Sequence, residues 1–362
     1  MLTYSPPLFY ITRDIDRALG LSETNGYTIV TNVTPENKRL AGDRQDIIWI
    51  EEEKILDTHE LLAHPTTIAT ILPQANILVF KNTSTIEHIC KEQSWNLLNP
   101  PAALARKVEE KITQVKWLGE LASLLPPHSI KTCKEITEAD LPCIVQFNHA
   151  HTGEGTLQVE QLQQLQQLQQ QFPDRPVRVT SFINGMMFTN NNVVTKDDVL
   201  IGNINYQITG IAPYTQNPFQ TIGNDWGFAK KVLTETQVTE YHAMATAIGD
   251  KLRVDGWSGL FGIDVMVEHE TGKLYLIEIN ARQPASTTYE SKLQRDKHQE
   301  TNQLTTFEAH IQSLLGADLK NTSLIEIFDG AQLFDRRDTE PIVHRFNHSI
   351  VEKHDILKKI DL

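Results

Sequence analysis

The residues best equipped for chemistry lie in one segment, LFGIDVMVEHETGKLYLIEINAR, residues 260–282. Two apolar, β-branched runs flank E-T-G-K. A glycine as third residue of a three-residue loop fits a type I turn followed by a left-handed bulge residue. That turn makes Glu270, Thr271 and Gly272 the loop and sets His269 opposite Lys273. Counting back in this register brings Asp264 opposite Glu278, on one face, with Cβ atoms roughly 5 Å apart. Glu278, Asn280 and Arg282 are spaced by two and share that face, while Ile277, Ile279 and Ala281 point into a core. Opposed carboxylates repel unless a cation sits between them. An oxygen-only set of Asp, Glu and Asn suits a hard ion such as Mg²⁺, which takes one or two carboxylates and completes its shell with water and substrate phosphates. Arg282 can fork onto a phosphate or a developing oxyanion. A structural salt-bridge cluster would account for the acids but not for an asparagine on the same face.

A second segment, IVQFNHAHTGEGT (residues 144–156), begins as a buried strand and ends in a turn with Gly153 and Gly155 two apart, followed by Thr156. Such a turn can wrap a phosphate, yet no lysine is present; Gln146, His149 and His151 stand there instead. The two histidines have no third ligand at zinc spacing and read as ordinary loop residues.

The elements that must position these groups are legible in outline. Runs at residues 27–32, 47–51 and 77–81 are β-branched and apolar, and 85–94 is patterned as a helix with Thr85 as its cap. Strands alternating with helices suggest a parallel α/β sheet. No GxGxxG follows the first strand, so a dinucleotide fingerprint is absent. Asn99-Pro100-Pro101 marks a boundary. One long helix is predicted over 102–125, carrying Lys107, Lys111 and Lys116. Leu162, Leu165 and Leu168 give a glutamine-rich tract a narrow apolar stripe, which predicts a packed helix rather than a disordered run; a strand at 177–182 follows. Further strands are expected at 192–195 and 199–202, and a helix at 238–253. Three units result: 1–100, 101–185 and 186–362.

The chain has 362 residues and a net charge of −13. Acidity of this kind disfavours nucleic acid and anionic membranes as partners. No apolar run approaches the roughly 20 residues a membrane span needs, and the N-terminus has no signal-peptide pattern. Cys90, Cys133 and Cys143 lack metal-knuckle spacing and read as buried, reduced thiols, an expectation of a cytoplasmic protein.

At G-I-D-V-M-V-E … L-Y-L-I-E-I-N-A-R the sequence resembles the ATP-grasp superfamily of carboxylate–amine and carboxylate–thiol ligases. The resemblance covers roughly residues 100–315. It implies a mixed α/β and α+β fold, with an N-terminal Rossmann-like α/β domain, a small glycine-loop subdomain and a larger antiparallel-sheet subdomain. By it, Asp264, Glu278 and Asn280 hold two Mg²⁺ ions, replaceable by Mn²⁺, that bridge the phosphates of ATP, and Arg282 stabilises the transferred phosphoryl group. Lys111 is the first phosphate lysine. Residues 177–185, VRVTSFING, resemble the hinge strand, where backbone groups of Phe182 and Ile183 hold adenine; relatives usually place a Glu at Ser181. Gln207 in NYQITG reaches the same pocket. Gly153, Gly155 and Thr156 form the phosphate-covering loop. The second family lysine aligns with Gln146, which is expected to face the nucleotide and offer a dipole where relatives offer a charge.

The resemblance therefore implies an ATP-dependent ligase that joins a small-molecule carboxylate to an amine through an acyl phosphate, on amino-acid or peptide-like substrates. A homodimer is an assembly the family admits. The acceptor pocket is expected from residues 214–226 and 283–289, with Asn224 and Asp225 either binding an ammonium group or shaping a turn. Two other readings fit the same motifs: a non-catalytic nucleotide-binding relative, motivated by the missing lysine, and a grasp-type small-molecule kinase.

Overall fold

The computed structural model describes residues 4, 6–148, 155–212, 214–217, 219–297, 302–335 and 342–351. The first unit is a five-stranded parallel sheet. Strands β1 (Leu8–Ile11), β2 (Tyr27–Asn32), β3 (Ile47–Ile50), β4 (Asn76–Leu78) and β5 (Asn96–Leu97) lie in the order β3-β2-β1-β4-β5. Parallel neighbours need crossovers, and helices α1 (Pro35–Ala41), α2 (Thr58–Ala63), α3 (Pro65–Thr70) and α4 (Ser84–Glu92) serve most of them. Both faces of the sheet are covered, so β1 is apolar throughout: Phe9 and Ile11 enter one cluster, Leu8 and Tyr10 another. The cap of α4 is Thr83, whose hydroxyl accepts from Ile86 N, rather than Thr85.

The single helix expected over 102–125 is broken. Helix α5 (Ala102–Glu109) and helix α6 (Lys111–Leu118) meet at Glu110, which is extended, and a 3₁₀ segment, Gly119–Leu124, follows. Side chains stabilise the break. Asn148 Oδ1 accepts from Ile112 N at 3.0 Å, and Gln114 Nε2 donates to Val108 O at 2.8 Å. These bonds satisfy groups that a helix end leaves unpaired.

Strands β6 (His128–Thr132), β7 (Cys143–Phe147), β8 (Thr156–Val159) and β9 (Pro176–Ser181) form a four-stranded antiparallel sheet in the order β6-β9-β7-β8. Helix α7 (Leu162–Gln171) covers one face. Its Leu165 and Leu168 pack with Cys143, Val145, Phe147, Val177 and Val179, while Leu162 is exposed. The glutamine tract is thus a packed helix, anchored by two of its three leucines.

The largest sheet is antiparallel. It holds β10 (Gly185–Val194), β11 (Val199–Leu200), β12 (Asn205–Thr209), β13 (Thr221–Asp225), β14 (Gly259–Glu268), β15 (Leu274–Asn280), β18 (Ala331–Asp335) and β19 (Ile342–Phe346). The strand expected at 192–195 is the end of the ten-residue β10. Helix α8 (Trp226–Val232) and the twenty-residue helix α9 (Glu235–Val254) follow β13, the latter longer at both ends than expected. Tyr241, Ala245, Ile248 and Leu252 of α9 pack on Phe261, Ile263, Val265 and Ile279. Helix α10 (Thr287–Arg295), the short pair β16 (Gln303–Leu304) and β17 (Ser323–Leu324), and helix α11 (Thr306–Leu314) complete the described fold.

Helix α11 ties the last unit to the first. Phe307 and Ile311 are buried with Leu8, Tyr10 and Ile15, and the Phe307 ring stacks on Tyr10 at 6.1 Å. Gly20 permits this seat, because a Cβ there would lie 2.1 Å from Phe307 Cγ. A core residue of the N-terminal unit therefore comes from position 307, far outside 1–100.

The hairpin of β14 and β15 pairs Asp264 with Glu278, as the turn-counting argument expects, but by another route. Glu268, not His269, is opposite Lys273: Glu268 N donates to Lys273 O at 3.0 Å and Gly272 N to Glu268 O at 2.9 Å. The connection is residues 269–272, with Gly272 at φ +71. His269 N leaves the ladder to donate to Asn184 O at 3.0 Å, at the hinge between the two antiparallel sheets. A bulge then restores the pairing. Val265 is opposite Leu276 and Asp264 opposite Glu278, so Ile277 is the extra residue. Ile277 is not in the core, contrary to the strict alternation. The core side carries Leu274 and Leu276 before the bulge and Ile279 and Ala281 after it. Were Ile277 paired regularly instead of bulged, the phase set by Leu274 and Leu276 would drive Glu278 and Asn280 into the apolar core. Deletion of Ile277 leaves Leu274, Leu276, Ile279 and Ala281 in the core and Glu278 and Asn280 on the site face, so cooperative unfolding in urea followed by circular dichroism should persist, and Ile277→Val should cost no more than about 1.5 kcal/mol.

Candidate active site

The face of the hairpin away from α9 carries Asp264, Glu278 and Asn280. Asp264 is held by three neutral donors. Thr189, its partner on β10, bonds its carboxylate. Gln207 Nε2 donates to Oδ1 at 2.9 Å and Asn280 Nδ2 to Oδ2 at 3.3 Å. Gln207 is itself oriented, because Thr221 Oγ1 donates to its Oε1 at 3.1 Å. The structure therefore places Gln207 on the acidic pair. From the core side, Tyr241 Oη donates to Ile263 O at 3.0 Å and fixes β14 beside Asp264.

Burial, and then the charge of Glu278 opposite, push the Asp264 carboxyl up to about 6. Burial acts in the same direction on Glu278, but Lys111 and Arg282 outweigh it and hold that carboxyl below its ordinary value. Lys111 Nζ lies 2.9 Å from Glu278 Oε1. Among the three lysines expected near 102–125, Lys107 and Lys116 are exposed and only Lys111 reaches the acids. The break at Glu110 makes this possible by re-aiming α6.

Arg282 pairs with Glu109, at the end of α5, and Lys81 Nζ reaches the same carboxylate at 2.7 Å. Burial favours the neutral form of Glu109, yet Arg282 and Lys81 hold its carboxyl below its ordinary value. Sequence reasoning passed over both Glu109 and Lys81. Their only local signal is charge at the end of a helix and after a strand, and neither says what it will meet.

The donor set fits a hard divalent ion. Among the described residues no three His, Cys, Asp or Glu side chains converge as a metal cluster. The set is two carboxylates and one amide, which leaves a Mg²⁺ shell to be completed by water and phosphate oxygens. Asp264 and Glu278 repel each other across the strand pair, and a cation held between them would offset that repulsion.

The small sheet turns its other face to this site. Cys143, Val145, Phe147, Val177 and Val179 point into the core beneath α7, so Gln146 and Arg178 point away from it. These two are directly opposed in register. Arg178 Nε donates to Gln146 Oε1 at 2.8 Å, one Nη to Gln114 Oε1 on α6 at 2.8 Å, and the other Nη to Ile277 O at 3.4 Å. Gln146 thus lies on the face away from α7, with its carbonyl engaged by Arg178. In the sequence Arg178 is one residue of a strand, and its place between Val177 and Val179 sets it off the core.

Thr156 lies opposite Gln146, and Gly155 O accepts from Phe147 N at 2.9 Å. Gly153, His149 and His151 lie outside the described residues. Strand β9 ends at Ser181, whose N donates to Pro127 O at 2.9 Å. Phe182 and Ile183 form the crossing to β10, with Phe182 exposed. Asp225 does not offer itself to an ammonium group. It is buried, accepts from Phe228 N as the cap of α8, and accepts from Ser349 Oγ, Ile350 N and Val351 N. Asn224 bridges Asn205 and Gln332 in a string of buried amides.

The raised Asp264 carboxyl has a thermodynamic consequence. A carboxyl titrating near 6 when folded and near 3.8 when unfolded binds more protons in the folded state between those values, so its contribution to stability falls as pH rises through that window. Asp264→Asn should raise the thermal midpoint of the protein at pH 7.5 in EDTA and have little effect at pH 3.5; a lowered midpoint at pH 7.5 would contradict this electrostatic account.

Comparison with known proteins agrees with this geometry. The ATP-grasp domain family model matches residues 108–286. No curated protein matches the sequence. Solved structures with the same fold include an ADP complex of N5-carboxyaminoimidazole ribonucleotide synthetase, at TM-score 0.64 and 13% identity over 92% of this chain and 82% of that one. N5-carboxyaminoimidazole synthetase from Staphylococcus aureus gives TM-score 0.62 and 15% identity over 92% and 83%. L-amino acid ligase from Bacillus licheniformis gives 0.60 and 13% over 91% and 79%. At these identities the structural likeness is one of fold. The matched segment begins just before Lys111 and ends just beyond Arg282, enclosing the small sheet and strands β10 to β15 of the largest one, and residues 108–286 form an ATP-grasp domain.

Proposed function

We propose that this protein is an ATP-dependent carboxylate–amine ligase that forms an amide through an acyl phosphate. The observation that carries the reading is the shared face of Asp264, Glu278 and Asn280, with Lys111 opposed to it at 2.9 Å and Arg282 two residues beyond. Asp264, Glu278 and Asn280 would hold Mg²⁺, which supplies charge neutralisation at the phosphates. Backbone groups of Phe182 and Ile183 at the crossing would hold adenine, and Gly153, Gly155 and Thr156 would cover the phosphates and keep water from the acyl phosphate.

In the first step an oxygen of the substrate carboxylate attacks the γ-phosphorus of ATP. The bond from that phosphorus to the bridging oxygen breaks, leaving ADP and an acyl phosphate. In the second step an amine attacks the acyl carbon, phosphate departs, and the nitrogen loses a proton to give the amide. Arg282 stabilises charge on the transferring group, and Lys111 lies where it can exchange Glu278 for a phosphate oxygen; both act by position and electrostatics. Neighbours of the same fold include an L-amino acid ligase, which supports amino-acid or peptide-like substrates.

The test is a screen of purified protein with Mg-ATP and pairs of amino acids, reading ADP, free phosphate and product mass. Equal ADP and phosphate with a new amide mass supports the ligase. A phosphorylated product without free phosphate would identify a kinase instead. Glu278→Gln and Arg282→Ala should each slow ADP release by about 10²-fold or more with unchanged circular dichroism; full activity in either variant would overturn the assignment.

A further inference from the structure

We propose that Arg178 is a phosphate-binding cation of the small subdomain, standing in for the lysine that Gln146 lacks. The inference rests on the nucleotide site proposed above and names one of its ligands for the polyphosphate.

The argument begins with register. Gln146 and Arg178 are directly opposed on β7 and β9, both on the face away from α7. Cβ atoms of opposed residues lie about 5 Å apart. A cation deleted at 146 and supplied at 178 has moved sideways by one strand while keeping its face. The two residues are also bonded to each other, Arg178 Nε to Gln146 Oε1 at 2.8 Å, so the glutamine orients the guanidinium.

The second observation is what Arg178 lacks. Its residue is 1% exposed, and among the described residues no carboxylate lies within 4 Å of it. Its bonds go to the amide oxygens of Gln146 and Gln114 and to a main-chain carbonyl, all of them neutral. A buried cation without an anion is costly, and packing alone would be better served by an apolar side chain or an ion pair. Burial already pulls its pKa down to about 10. The acid that acts on it most is Glu278, which Lys111 already engages.

The third observation is where Arg178 stands. It reaches the carbonyl of the bulge residue Ile277, next to Glu278, and a side chain of α6 three residues after Lys111. Arg178, Lys111 and Arg282 therefore surround Glu278 from three elements. A guanidinium has five donors in a planar fork; three are engaged here, by neutral acceptors, and a phosphate would bring the negative charge those acceptors do not.

The test uses the full chain and isothermal titration with Mg-ADP and with adenosine. Wild-type protein should bind Mg-ADP well above adenosine; failure to bind Mg-ADP at all would overturn the nucleotide site itself, and this inference with it. Arg178→Gln should weaken Mg-ADP by about tenfold or more while leaving adenosine affinity unchanged. Unchanged Mg-ADP affinity, or equal weakening of both ligands, would overturn the assignment alone. The double variant Gln146→Lys with Arg178→Gln returns the charge to the neighbouring strand and should restore Mg-ADP binding. It also decides the matter if Arg178→Gln alone does not fold: a folded double variant that binds adenosine but not Mg-ADP above it would overturn the proposal.

Discussion

Two carboxylates face each other across neighbouring strands in a largely buried sheet, and much of the surrounding structure answers that repulsion. Asp264 is surrounded by neutral donors and yields part of its charge to burial. Glu278 keeps its charge because Lys111 from α6 and Arg282 just past the end of β15 offset it. A like-charged pair in a low-dielectric setting is stable only when other elements supply this compensation. The break between α5 and α6, the bulge at Ile277 and the seat of Arg282 on Glu109 are all parts of that supply.

The N-terminal unit belongs to the same arrangement. Its Lys81 shares Glu109 with Arg282, so a residue just after β4 of the parallel sheet steadies the arginine of the site. The next residue, Gln283, is bound on every side by that unit. Tyr10 Oη donates to Gln283 Oε1 at 2.5 Å, Arg17 donates to its carbonyl at 3.1 Å, its amide donates to Arg17 O at 2.8 Å, and its backbone N donates to Phe80 O at 3.0 Å. Arg282 thus sits between a strand of the largest sheet and a residue clamped by the first. The buried contact of Phe307 with Tyr10 makes the clamp a packed interface as well as a polar one.

Local pattern carried much of this. The alternation in V-R-V-T and C-I-V-Q-F already separated core from site face in the small sheet, and glutamine at 146 already announced a missing charge. The leucine spacing in QLQQLQQLQQQ predicted a packed helix, and α7 is one. The pairing of Asp264 with Glu278 was reached from a turn register that was off by one. The bulge at Ile277 corrected it, because burying Leu274 and Leu276 before it and Ile279 and Ala281 after it demands a change of phase. Alternation alone cannot announce such a change, since each half of the strand is regular by itself.

The sequence by itself determined the chemistry available: two acids and an amide on one strand pair, an arginine two residues on, and a glycine turn without a lysine. Those follow from residue type and the two-residue period of a strand. Only the tertiary structure decided which charges meet. Lys111 rather than Lys107 or Lys116 reaches Glu278, Glu109 holds Arg282, and Arg178 faces Gln146 with no carboxylate at ion-pair distance among the described residues. The physical reason is range. Pairing across a hairpin is set by neighbours a few residues apart, whereas these contacts join residues 32 to 173 positions apart and depend on how three packed sheets come to rest against one another.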